Sequence, residues 1–124
     1  MYDIIALPGG LPGAEYLRDS IELDYLIKDQ LKSNRILGAI CASPAVVLGI
    51  KNLLTNYNAT CYPACKNEFI VNYVNERVVV DRNLITSQGP GTALEFAIKI
   101  VEVVLGEIPA NDLKNEMLIK MSEL

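Results

Sequence analysis

Cys41 has the type and setting to supply covalent chemistry. It ends the continuously apolar run Ile36-Leu37-Gly38-Ala39-Ile40 and precedes Ala42-Ser43-Pro44 and a second apolar run of different period. The first run suits a strand buried on both faces, and Pro44 suits the first turn of a helix. A side chain at such a turn projects from the carboxyl end of a sheet, near the unpaired amides and positive dipole end of the new helix. That field favours a thiolate, the nucleophilic form of cysteine, so Cys41 is a candidate for covalent catalysis or selective oxidation. The competing interpretation is a buried, inert cysteine acting as a small hydrophobe.

A second stretch bears on the choice. Asp3-Ile4-Ile5-Ala6-Leu7 predicts another buried strand, and Pro8-Gly9-Gly10 after it allows a tight turn with bare amides. Such amides suit an oxyanion hole beside Cys41.

The remaining nucleophiles are weaker candidates. Ser43 and Ser87 have no histidine to activate them, since the sequence contains none. Cys61 and Cys65 invite a metal, but a zinc site needs histidines or paired cysteine motifs, so no metal is expected. Cys61 is either a resolving thiol for an oxidised Cys41 or an unrelated cysteine. The dinucleotide fingerprint, the P-loop lysine and C-x-x-C are absent.

The elements that must position these groups follow from the pattern. Asp19 and Glu22 predict a capping box, with Leu23, Leu26, Ile27 and Leu31 on one helical face and Asn34 as the stop. A right-handed parallel crossover then returns the chain to Ile36. Residues 49–58 are expected to connect, and Ala59-Thr60-Cys61-Tyr62 to run extended into Pro63. Residues 77–81 and 84–87 predict a hairpin about Arg82-Asn83. Leu94, Ala97, Ile98, Val101 and Leu105 predict a helix stopped by Gly106, and Leu113, Met117, Leu118 and Met121 a last one from Pro109.

Composition limits the function classes. A net charge of −4 without a basic cluster argues against nucleic acid or an anionic membrane as partner. No apolar run reaches spanning length and no leader precedes the first strand, so a cytoplasmic setting is expected, with reduced thiols. The 124 residues amount to a single domain, yet 51% are hydrophobic and the mean hydropathy is +0.25. That excess predicts exposed apolar faces and an unpaired sheet edge, as in part of a longer protein or a chain completed by a second one.

Three motifs in order, Ala6-Leu7-Pro8-Gly9-Gly10, Ala39-Ile40-Cys41-Ala42-Ser43-Pro44 and Thr86-Ser87-Gln88-Gly89-Pro90-Gly91-Thr92, resemble the DJ-1/PfpI superfamily, most closely its DJ-1 branch. The resemblance covers residues 2–105. It implies a flavodoxin-like three-layer α/β sandwich with a mostly parallel sheet, here lacking the family's N-terminal segment. It also implies that Cys41 is the nucleophile-elbow cysteine, that the amides of Gly10 and Ala42 hold an oxyanion, and that Gly9, Ser43, Tyr62 and Pro90 border the pocket. Tyr62, before Pro63, stands where the branch usually has histidine. Its phenol is either a donor to a substrate oxygen or a structural group, and with a pKa near about 10 it is a poor base at neutral pH. The glutamate that tunes the family's cysteine comes from the missing segment; Glu15 fits better as a group favoured by the helix dipole.

The resemblance therefore implies a cofactor-free glyoxalase acting on small dicarbonyls such as methylglyoxal, or a deglycase acting on glycated protein, with a role in oxidative stress and a homodimeric assembly. The alternatives are a non-enzymatic redox sensor or chaperone working through Cys41 oxidation, and a PfpI-type peptidase, which the missing histidine disfavours.

Overall fold

The computed structural model describes residues 1–119. Strand β1 (Ile4–Leu7) leads through the glycine loop to helices α1 (Gly13–Asp19) and α2 (Ile21–Lys32), and then to strand β2 (Ile36–Ile40). A π-helical turn, Pro44–Leu48, and a 3-10 turn, Gly49–Lys51, follow the elbow. Short strands β3 (Asn58–Ala59) and β4 (Asn72–Tyr73) pair with each other and flank a 3-10 turn, Pro63–Cys65. The hairpin β5 (Val78–Asp81) and β6 (Leu84–Ser87) precedes helices α3 (Ala93–Leu105) and α4 (Glu107–Glu116).

The main sheet has the order β1-β2-β6-β5, parallel except for β5. Its register sets the site. Leu7 pairs with Ala39, and Ala39 with Thr86, so β1, β2 and β6 end level with one another. The Gly9-Gly10 loop, Cys41 and the Gly89 loop therefore leave the sheet along one edge, the carboxyl edge at which ligands bind in open α/β sheets.

Alternation along β2 separates two layers of helix. Leu37 and Ala39 are buried in a cluster with Ala14, Ile27, Ala45 and Leu48, contributed by α1, α2 and the segment after the elbow. Gly38 points the other way. A Cβ there would stand 2.9 Å from the Phe96 ring, so α3 lies on the opposite face. The result is the three-layer α/β arrangement that the sequence predicts. The hairpin also forms as expected, with Arg82 at φ 54° in its turn.

Several expectations need correction. The α2 cap is Ser20, whose hydroxyl accepts from Leu23 N–H at 3.2 Å, because α1 continues through Asp19 and leaves that carboxylate paired with Arg18. Strand β1 is an edge strand with Ala6 exposed, not a strand buried on both faces. Residues 49–58, expected only to connect, begin with the 3-10 turn Gly49–Lys51, which ends at Asn52, φ 59°. On α3, Phe96 and Ile98 are buried, whereas Leu94 and Leu105 are 52% and 64% exposed. That helix is apolar on most of its circumference, so periodicity alone does not choose its inner face; the hollow at Gly38 does. Helix α4 begins at Glu107, with Pro109 in its first turn, where a missing N–H costs nothing. Met121 lies outside the described residues. No helix among the described residues is long and apolar enough to cross a membrane.

Candidate active site

The site is built where β2 ends. Cys41 has φ 65°, a left-handed conformation that L-residues other than glycine, asparagine and aspartate seldom adopt. Neighbouring segments hold it there. Its amide donates to the Ser87 carbonyl at 3.0 Å, and its carbonyl accepts from Tyr62 N–H at 2.8 Å. Cys41 is half-buried, so its thiol is neither sealed in the core nor fully exposed.

Gly9 makes room for this turn. A Cβ at Gly9 would lie 2.5 Å from the Cys41 Cβ and 2.8 Å from the Ile40 carbonyl oxygen. Ser43 is fully buried, and its hydroxyl donates to the Pro8 carbonyl, tying the glycine loop to the elbow. Gly10 has φ +83°, and its carbonyl accepts from Ala14 N–H at 2.8 Å. The amides of Gly10 and Ala42 donate to no acceptor among the described residues, which leaves both free for an incoming oxyanion.

Tyr62 closes the other side. It is 43% exposed, and a Cβ on Gly89 would lie 3.3 Å from its ring, so the ring and the Gly89 backbone are in close apposition. The Gly89 loop is fixed from beneath: the Gly89 amide donates to Thr92 Oγ1 at 3.1 Å, and Thr92 Oγ1 lies 2.6 Å from Ser87 Oγ, itself a donor to the Arg77 carbonyl. Pro90 follows, exposed, at the start of the 3-10 turn Pro90–Thr92. Sequence inspection overlooks Ser87 and Thr92 as organisers of the elbow; the one available signal is a threonine three residues after Gly89, a spacing typical of local hydroxyl-to-backbone bonding. Arg77 adds a clamp, donating to the Gly91 carbonyl at 2.8 Å and to Glu95 at 2.7 Å.

The other two cysteines differ from Cys41. Cys61 is fully buried, and its thiol donates to the Tyr62 carbonyl at 3.2 Å. Burial above all, then the neighbouring Cys65 and Cys41, pushes that thiol up to about 12. Cys65 is half-buried and its thiol is also raised, by burial first and then by Cys41. All three are free thiols, and among the described residues no group of three cysteine or acidic side chains has the arrangement to hold a metal. Glu15 sits in the first turn of α1. A charged hollow of about 280 Å³, lined by Arg77, Glu95, Lys99 and Lys114 among others, reaches the clamp under the Gly91 loop through Arg77 and Glu95 but is not lined by Cys41, Gly9, Gly10 or Tyr62.

A cysteine held at positive φ between a parallel strand and a helical turn, beside a glycine loop with free amides, defines a flavodoxin-like protein with a nucleophile elbow. The match extends to the family: residues 1–103 match the DJ-1/PfpI family, and the chain belongs to it. It is 51% identical to Protein DJ-1 homolog B of Arabidopsis thaliana over 85% of this chain and 24% of that protein. It is 40% identical to the glutathione-independent glyoxalase DJR-1.2 of Caenorhabditis elegans, over 90% of this chain and 60% of that one. Among solved structures, oxidized Toxoplasma gondii DJ-1 superposes with a TM-score of 0.89 at 39% identity, covering 95% of this chain and 65% of the other. The chain thus spans less than two thirds of these relatives.

Proposed function

We propose that this chain forms the elbow-bearing part of a DJ-1-type enzyme that converts methylglyoxal-class dicarbonyls to hydroxy acids with Cys41 as nucleophile. The observation that carries this is the strained Cys41 beside the two unpaired amides of Gly10 and Ala42. The name of the C. elegans relative supports the substrate class.

The chemistry is redox-neutral within the substrate, so no external electron acceptor is required. The Cys41 thiolate adds to the aldehyde carbon, and the carbonyl oxygen becomes an oxyanion received by the Gly10 and Ala42 amides. The proton on that carbon moves to the adjacent carbon through an enediol, leaving a thioester. Water then attacks the thioester; the carbon–sulfur bond breaks, the hydroxy acid departs and the thiolate returns. The proton shift needs a base, and the chain has no histidine to supply one. We assign it to a carboxylate contributed from outside this chain, by the rest of a longer protein or by a second chain. The outer edge of β1, unpaired among the described residues, offers a pairing place for such a segment.

The same addition would act on early glycation adducts of proteins, and a homodimer in the cytoplasm that responds to oxidative stress is the setting we propose. The test is lactate production from methylglyoxal by the full-length protein. Wild type is expected to turn over and Cys41→Ser to lose activity; turnover that survives in Cys41→Ser refutes the reading.

A further inference from the structure

The three cysteines share one neighbourhood, although the chemistry above uses only Cys41. The chain returns to the elbow at Tyr62, whose amide donates to the Cys41 carbonyl at 2.8 Å. The turn Pro63–Cys65 is then closed by the Cys65 amide, which donates to the Tyr62 carbonyl at 2.8 Å. Three residues of 3-10 helix advance only about 6 Å, so Cys65 stays beside the elbow. Consistent with this, charge on Cys41 is felt at both Cys61 and Cys65.

Two thiols therefore compete to meet an oxidised Cys41, and their surroundings separate them. Cys61 is sealed in the core with its thiol engaged by the Tyr62 carbonyl. A thiol pushed up to about 12 has almost no thiolate at neutral pH and attacks slowly. Cys65 is half-buried between exposed Ala64 and Lys66. Its turn is held by two backbone bonds, from Cys65 to Tyr62 and from Lys66 to Pro63, and the three residues before Cys65 on this turn are exposed. A disulfide needs about 4.4–6.8 Å between the Cα atoms, and this short turn, with Cys65 packed on the margin of the core, is the segment that shifts to reach it.

We propose that Cys65 is the resolving thiol of Cys41, forming a Cys41–Cys65 disulfide when the elbow meets a hydroperoxide. In the first step the Cys41 thiolate attacks one peroxide oxygen. The O–O bond breaks, sulfur loses two electrons to the peroxide, and a sulfenic acid and hydroxide (or alkoxide) result. In the second step Cys65 attacks the Cys41 sulfur; the S–O bond breaks, the S–S bond forms, and the hydroxyl leaves with the Cys65 proton as water. The disulfide keeps Cys41 from irreversible over-oxidation and suspends its nucleophilic role until a thiol reductant restores it. The inference shares with the proposed function only the reactivity of Cys41; it is independent of dicarbonyl turnover.

The test treats the full-length protein with two equivalents of hydrogen peroxide, enough to carry an unresolved Cys41 to the sulfinic acid, blocks free thiols with iodoacetamide, and maps the peptides by mass spectrometry. Wild type is expected to yield a Cys41–Cys65 linked peptide lighter by two hydrogens. Cys65→Ser should lose that peptide and gain two oxygens on Cys41, whereas Cys61→Ser should keep it. Cys65→Ala, checked for folding by circular dichroism, repeats the first variant without a hydroxyl. A wild-type Cys41 that gains oxygens while Cys65 stays alkylatable overturns the inference, as does a Cys41–Cys61 link or a Cys41 inert to peroxide. Methylglyoxal turnover, assayed in parallel, separates the two ideas: turnover without the linked peptide sinks only the disulfide, and the linked peptide without turnover sinks only the glyoxalase.

Discussion

The backbone amide of Tyr62 donates to the carbonyl of Cys41 at 2.8 Å, while the amide of Cys41 donates to the carbonyl of Ser87 at 3.0 Å. The elbow is thus clamped through its own main chain, and the side chains around it are left to line the site. Positive φ at a non-glycine residue costs of order 1–3 kcal/mol and persists only where the surroundings over-determine it. Here the clamps are Ser87, Tyr62 and the close approach of Gly9.

Gly9→Ala tests that approach. The new methyl would meet the Cys41 Cβ at 2.5 Å and the Ile40 oxygen at 2.8 Å, neither of which is the movable end of a side chain. Overpacking of this kind typically costs about 1–3 kcal/mol, so the urea midpoint should fall and turnover with it. An unchanged midpoint would mean that the glycine loop does not pack on the elbow.

Ser43→Ala removes the buried tie to the Pro8 carbonyl and leaves that carbonyl without its serine partner. The expected loss is about 1–3 kcal/mol, read as a lower Tm. Because the tie anchors the start of the loop that carries Gly10, kcat should fall more than KM rises if that loop serves the reaction, a division that a merely structural serine would not produce.

Much of this site is legible in the sequence, for a physical reason. A strand buried on both faces, a turn and a helix start each impose their own residue types, so Ile36 to Pro44 announces the elbow almost unaided. The glycine loop is legible because close approach and φ +83° both select glycine. The α3 face is not legible: Ala93–Leu105 is apolar on most sides, and its register depends on a hollow at Gly38, far away in sequence. The Ser20 cap is missed because Asp19 offers an equally good local signal and the choice depends on where α1 ends. Ser87 and Thr92 escape notice because hydroxyls that support a loop have no period.

Phe96→Ala examines the α3 register. Phe96 is nearly buried and fills the hollow over Gly38, so the substitution leaves a cavity that β2 cannot collapse to fill. A loss of about 3–5 kcal/mol is expected, against less than about 0.5 kcal/mol for Leu94→Ala on the exposed side. Denaturant midpoints of the two variants decide between the faces; equal losses would mean that α3 does not bury Phe96 in preference to Leu94.

The buried Cys61 thiol makes stability depend on alkaline pH. Its pKa is raised from 9.0 to about 12 in the folded chain, so the folded state holds the proton more tightly than the unfolded one. The contribution is fully present below about pH 9 and is lost as pH rises from there toward 12, with a slope of at most about 1.4 kcal/mol per pH unit. Cys61→Val removes this one titration, so wild type should destabilise more steeply than the variant between pH 9 and 11 in urea melts. Parallel curves would mean that Cys61 ionises as freely in the folded chain as in the unfolded one.

Tyr62→Phe asks whether the residue standing before Pro63 takes part in the chemistry or only shapes the site. The ring packs against Gly89 and its backbone holds Cys41, and phenylalanine keeps both, so stability should change by less than about 0.5 kcal/mol. One neutral hydrogen bond from the phenol to substrate is worth about 0.5–1.5 kcal/mol. Methylglyoxal turnover by the full-length variant should therefore fall by about tenfold or less, with the pH profile unmoved. A loss of a thousandfold or a displaced pH limb, on the order of general-base catalysis, would make Tyr62 the proton carrier, and the carboxylate assigned from outside this chain would no longer be needed.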